Sequence, residues 1–157
     1  MDAKFKLTPF LQCQIVEREY LLVGISTTTL FPNGFPTEAK KIQHQLLKRK
    51  EHVQAVKDDT ILISPFLCNE VLATYFACFE VKESVPQPED MLEIPLKKTK
   101  YAMITCTNKT ISEGYERLFR WMHKVKLQQK LIGATQLEIF YLEDGEEEIK
   151  VELLIPV

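Results

Sequence analysis

The sequence predicts an α+β fold in which one strand–helix–strand–strand module is used twice, giving antiparallel sheets, two main helices and a central cleft on a pseudo-twofold axis. Three observations lead there. The same order of strand-length apolar runs and amphipathic helix occurs on both sides of the chain's midpoint. The one stretch hostile to regular structure, Ser84 to Asp90 with Pro86 and Pro88, falls between the two sides. The 157 residues, 45% hydrophobic and 27% charged, make an ordinary globular mix of single-domain size. The expected organisation is one domain over 1–157, with a first module at about 15–83, a linker at about 84–91 and a second module at about 92–157.

Each element has its own reason. Tyr20 to Ile25 is a short apolar run, and Thr27 to Thr29 prolong it with β-branched residues into a first strand. Pro32-Asn33-Gly34 is a turn. Pro36-Thr37 introduces a helix over about Glu38 to Val53, with Ala39, Ile42, Leu46 and Val53 on one stripe. Thr60 to Ile63 and Leu72 to Val81 read as strands. On the second side Tyr101 to Thr105 is a strand, and Thr110-Ile111-Ser112-Glu113 is a capping box opening a helix that runs to about Val125. Tyr115, Leu118, Phe119, Met122 and Val125 form its expected buried stripe, with Trp121 at the edge. Gln136 to Leu142 is a strand, Glu143-Asp144-Gly145-Glu146 a hairpin turn, and Lys150 to Val157 the closing strand. Two such modules side by side leave a seam, and seams between repeated units favour pockets.

Composition narrows the function. The 20 basic and 22 acidic side chains nearly cancel, so nothing pulls the whole chain toward nucleic acid or anionic lipid, and neither is an expected partner. Cys13, Cys68, Cys78 and Cys106 form no CxxC, and His44, His52 and His123 complete no metal-ligand pattern with them; no metal or cofactor is expected. The histidines and the basic run Lys48-Arg49-Lys50 read as solvated helix surface, and Glu146-Glu147-Glu148 as a solvated edge. Residues 1–12 carry no apolar leader core, and no apolar run approaches the ~20 residues that span a bilayer, so a cytoplasmic location is expected. No nucleophile elbow, Ser-His-Asp order or phosphate loop can be read.

One residue keeps odd company. In Leu137-Glu138-Ile139-Phe140-Tyr141-Leu142 alternate side chains face opposite ways, and both faces are apolar except for Glu138. Either Glu138 sits near a strand end and reaches water, or it is buried. A buried carboxylate costs several kcal/mol unless paired, or else its pKa rises. A lysine or arginine of the chain, a hydroxyl or indole donor, or a cationic ligand would answer it.

The segments Glu17 to Ile25, Ile94-Pro95 with Lys100 to Met103, Gly114 to Trp121, Leu137 to Leu142 and Val151 to Val157 together resemble the GyrI-like small-molecule-binding family, which includes effector-binding domains of bacterial AraC-type and multidrug-responsive regulators. The resemblance implies a cleft that takes lipophilic, often cationic compounds, with the family's acidic pocket residue matched by Glu138. The family's following tyrosine is Phe140 here, with Tyr141 one residue later, and its usual glycine before the Tyr-Ala strand is replaced within Lys97 to Lys100. Trp121, Phe66, Tyr75, Phe140 and Tyr141 are the aromatic candidates to line the cleft beside Glu138, against core packing as the plainer role for each. Both helices are used by the modules, so a sensor without its own DNA-binding domain is expected, working with a separate regulator or other protein. Two further functions follow from the resemblance. One is hydrolysis of reactive electrophilic natural products with Glu138 as general acid/base. The other is regulation by protein–protein contact, as in the founding member associated with DNA gyrase.

Overall fold

The computed structural model describes residues 13–157, and the sequence reading that residues 1–12 carry no leader lies outside the described residues. The elements run β1 (Gln14–Leu30), α1 (Phe35–Lys48), a 3-10 turn (Lys50–His52), β2 (Ile61–Cys68), β3 (Leu72–Glu80), β4 (Leu92–Thr107), α2 (Ile111–Lys124), β5 (Gln136–Tyr141) and β6 (Lys150–Pro156). Strand–helix–strand–strand therefore occurs twice, as the sequence leads one to expect. By compactness the described chain forms two units, 20–96 and 13–19 with 97–157.

In the unit 20–96, β3 is the middle strand. It pairs antiparallel with β1 from Leu22↔Glu80 to Leu30↔Leu72, and with β2 at Ile63↔Cys78 and Phe66↔Tyr75. Gly24 has to be glycine here, because a Cβ would lie 1.9 Å from the Ala77 carbonyl oxygen across the β1–β3 ladder. Helix α1 covers the face that carries Phe66 and Tyr75. Its first residue, Phe35, meets those two rings at centroid distances of 5.9 and 5.3 Å, and Gln43 donates to the Tyr75 hydroxyl at 2.9 Å. Ile42 and Leu46 are its buried stripe.

In the other unit β6 is the middle strand, between β4 (Tyr101↔Pro156 to Thr107↔Lys150) and β5 (Leu137↔Leu154 to Phe140↔Val151). The turn expected at Glu143 to Glu146 is formed, with Gly145 at φ +80° and the Glu146 amide bonded to the Glu143 carbonyl.

Several boundaries differ from the sequence reading. Helix α1 begins at Phe35, since a proline in the first helical turn costs no hydrogen bond, and ends at Lys48 rather than Val53. Strand β2 runs through Pro65 to Cys68, keeping one register with β3 on either side of the proline. Strand β4 starts at Leu92, nine residues before Tyr101, so the irregular connection is short. Thr110 caps α2 without a side-chain bond to it; its hydroxyl instead accepts from the Thr107 amide at 3.0 Å, so the expected capping box is not made. The buried stripe of α2 is Gly114, Leu118 and Met122, while Phe119 and Val125 are exposed.

Candidate functional site

Pairing fixes what surrounds Glu138. Leu153 of β6 stands between Ile104 of β4 and Glu138 of β5, and Val151 stands between Cys106 and Phe140. These residues share one sheet face, and α2 lies over it. Gly114, in the helix's first turn, makes the approach close: a Cβ there would be 2.9 Å from Leu153 Cδ1 and 3.2 Å from Cys106 Sγ. The next residue, Tyr115, can then reach the sheet, and its hydroxyl donates to Glu138 Oε2 at 2.8 Å. Four residues on, Phe119 stacks on Tyr115 with centroids 6.3 Å apart.

Glu138 is 6% exposed, so of the two sequence alternatives the buried one holds and the water-reaching one does not. Its charge is felt nearby. Burial pushes the Cys106 thiol up to about 12, and Glu138 adds to that rise while a hydrogen bond with Thr110 opposes it. A phenol donor satisfies a carboxylate oxygen by hydrogen bonding and brings no formal charge of its own.

The neighbouring residue faces the other way. Glu152 pairs with Thr105 and Ile139 on the opposite face of the same sheet and is equally buried. Tyr141 donates to it at 2.8 Å, Arg18 approaches at 3.4 Å, and the Lys150 ammonium lies 4.0 Å from it and 4.4 Å above the Tyr141 ring.

Among the residues singled out in the sequence, then, Glu138 and Phe140 share a strand face, whereas Tyr141 serves Glu152 on the other. Trp121 is half-buried at one border of the α2 stripe and Tyr115 at the opposite border, since the two are 120° apart around the helix at 100° per residue. Phe66 and Tyr75 are buried in the unit 20–96, ring against ring at 5.9 Å. Sequence reasoning assigned Tyr115 and Phe119 to the core and overlooked Glu152. The four-residue aromatic spacing on α2 and the lone charge in Val151-Glu152-Leu153-Leu154-Ile155 were the available signals.

The two modules differ in this site. α1 and α2 are both 14 residues long, with Ile42 and Leu46 buried where α2 buries Leu118 and Met122. That alignment sets Ala39 against Tyr115. Matching Phe66 to Phe140 sets Ser64 against Glu138. Ser64 is wholly buried, with no partner for its hydroxyl among the described residues. The carboxylate–phenol pair thus belongs to the second module alone. Among the described residues no three His, Cys, Asp or Glu side chains are grouped to hold a metal ion.

This α+β fold, a strand–helix–strand–strand module used twice, matches that of the GyrI-like effector-binding domains. The chain belongs to the family of Cass2, integron-associated effector-binding proteins, whose model matches residues 14–157. Three similar solved structures share the fold. SAV2435 bound to tetraphenylphosphonium is 16% identical, with a TM-score of 0.69 over 93% of each chain. The C-terminal domain of EcmrR is 12% identical, with a TM-score of 0.65 over 92% of this chain and 97% of that one. An integron cassette protein from the mobile metagenome of Vibrio cholerae is 15% identical, with a TM-score of 0.59 over 92% and 95%. No curated protein matches the chain. Among the described residues no helix is long and apolar enough to cross a membrane.

Proposed function

We propose that this protein binds small lipophilic cations, with Glu138 as the counter-charge and Tyr115 and Phe119 as an aromatic wall. The observation that carries this reading is the buried Glu138 carboxylate held by the Tyr115 phenol, whose ring in turn stacks on the half-exposed Phe119. A desolvated cation over such rings gains about 2 kcal/mol beyond its pairing with the carboxylate. The effector-binding family and the tetraphenylphosphonium bound to SAV2435 support the same ligand class.

The test is thermal unfolding with tetraphenylphosphonium and with neutral tetraphenylmethane-type analogues, in wild type and Glu138→Gln. At 100 times its dissociation constant a ligand adds about 2.7 kcal/mol to the folded state, several degrees for a chain of this size. A shift that requires both the ligand's charge and Glu138 supports the proposal. Equal shifts by charged and neutral analogues, or shifts unchanged in the variant, sink it. If an electrophilic ligand is instead consumed, with turnover lost and binding kept in Glu138→Gln, the carboxylate is a general base activating water.

A further inference from the structure

We propose that the unit 20–96 holds a second binding site, one for a lipophilic anion such as a medium-chain carboxylate. An open cavity of about 540 Å³, within the size range of small-molecule sites, lies beside the C-terminal end of α1 and is lined by Ile25, Ile42, Leu92, Lys48, Arg49 and Asp90. None of these residues belongs to the Glu138 site, and the proposal is independent of the cation reading.

Ile25 and Ile42 are buried walls, while Leu92 stands 53% exposed at the start of β4. An apolar tail packed there would cover a leucine now facing water. The charged end has a built partner. Arg49 presents both terminal nitrogens to Asp90, with Nη2 at 2.9 Å from Oδ1, a fork that any carboxylate can take up. Asp90 is 63% exposed, so its hold on the guanidinium is weak and open to exchange for a ligand's own carboxylate. Lys48 supplies a second cation at the same rim.

The charged side chains lining the cavity are Lys48, Arg49 and Asp90, two cations to one anion. Lys48 and Arg49 also meet the negative end of the α1 dipole, which would otherwise repel an anion.

The wall bearing Asp90 is fixed in place. Gln87 bonds the Gln54 amide at 2.8 Å and its carbonyl at 2.9 Å, Ser84 bonds Glu93, and the Met91 amide bonds the Pro88 carbonyl. The connection that the sequence marks as a linker is thus a strap pinned on both sides of Asp90, and the cavity exists before any ligand arrives.

The experiment is calorimetric titration of the whole chain with decanoate below its micellar range, with decyltrimethylammonium as competitor. One saturable site is expected. Arg49→Gln should weaken it by about tenfold or more, and Asp90→Asn, by removing the internal competitor, should tighten it. Glu138→Gln should leave it unchanged. Because Arg49 and Asp90 form a surface pair, both variants should unfold within a few degrees of wild type, and Gln45→Trp, which fills the cavity from α1, gives a variant with no charge altered that should abolish binding. Absence of saturable binding overturns the proposal. So does displacement by the cationic competitor, an affinity indifferent to Arg49→Gln, or a loss on Asp90→Asn.

Discussion

Glu138 and Glu152 are buried on opposite faces of one sheet: Glu138 pairs across with Leu153, and Glu152 is the next residue along β6. Alternation along a strand forces the separation. It also gives the two carboxylates different surroundings, one under α2 with a phenol, the other with an arginine, a tyrosine and a lysine.

Those surroundings predict opposite outcomes for the same substitution. In Glu152→Gln, Arg18 and Lys150 lose a charge partner, and unfolding free energy should fall by about 1–3 kcal/mol while any cation-induced thermal shift is kept. In Glu138→Gln the cation-induced shift should disappear. Urea unfolding of the two variants with and without tetraphenylphosphonium checks the crossing pattern.

Tyr115→Phe separates the phenol from the ring. The stack on Phe119 survives, and the 2.8 Å bond to Glu138 is lost, costing about 1–3 kcal/mol of stability for a buried charged acceptor. Cation affinity should be largely retained, because the ring face and the carboxylate remain. Phe119→Ala should do the reverse, with little change in stability at a site 43% exposed and a clear loss of affinity.

Glu138 is conspicuous because strand alternation leaves a lone charge no polar neighbours, but that pattern alone is equally met by a strand end reaching water, and only the fold shows the residue buried. The order of elements was legible because apolar periodicity of 2 and of 3.6 is local information. The donor to Glu138 was not. Tyr115 on a helix stripe is indistinguishable from core until the helix is docked, and the docking depends on Gly114 allowing close approach to Leu153 and Cys106. Strand alternation already sets Tyr141, three residues from Glu138, on the other face; what the sequence does not show is that its hydroxyl there meets Glu152. The lengths of β1 and β4 are not legible because their outer parts, Glu17-Arg18-Glu19 and Lys97-Lys98, are charged and show no apolar alternation, although Lys98 and Glu17 lie 3.8 Å apart in the fold.

Gly24 tests the β1–β3 ladder. A methyl group there meets backbone, the Ala77 oxygen at 1.9 Å and Cys78 Cα at 2.7 Å, and backbone cannot rotate aside as a side chain would. Gly24→Ala should cost more than about 3 kcal/mol and lower the melting temperature by roughly 10 °C. Gly145→Ala, with open space around it but φ at +80°, should cost only about 1 kcal/mol. Parallel melting curves of the two variants decide whether the ladder or the turn is the stricter position.

The buried thiols predict how stability falls at high pH. Burial raises Cys106 to about 12 and raises Cys78 as well, against about 9.0 for an ordinary thiol. Below pH 9 both thiols are protonated folded and unfolded, so their effect on stability is flat. Above it the unfolded chain releases protons that the folded one keeps, so the unfolded state binds fewer protons and stability drops as pH rises, by up to about 1.4 kcal/mol per unit for each thiol. For Cys106 the loss should end near pH 12, where the folded thiol also ionises. Urea unfolding at pH 8, 9, 10 and 11 on wild type and Cys106→Ala should show the variant's stability falling less steeply, so that the two curves converge as pH rises. Parallel curves would mean that Cys106 titrates normally, and that neither burial nor the charge of Glu138 acts on it.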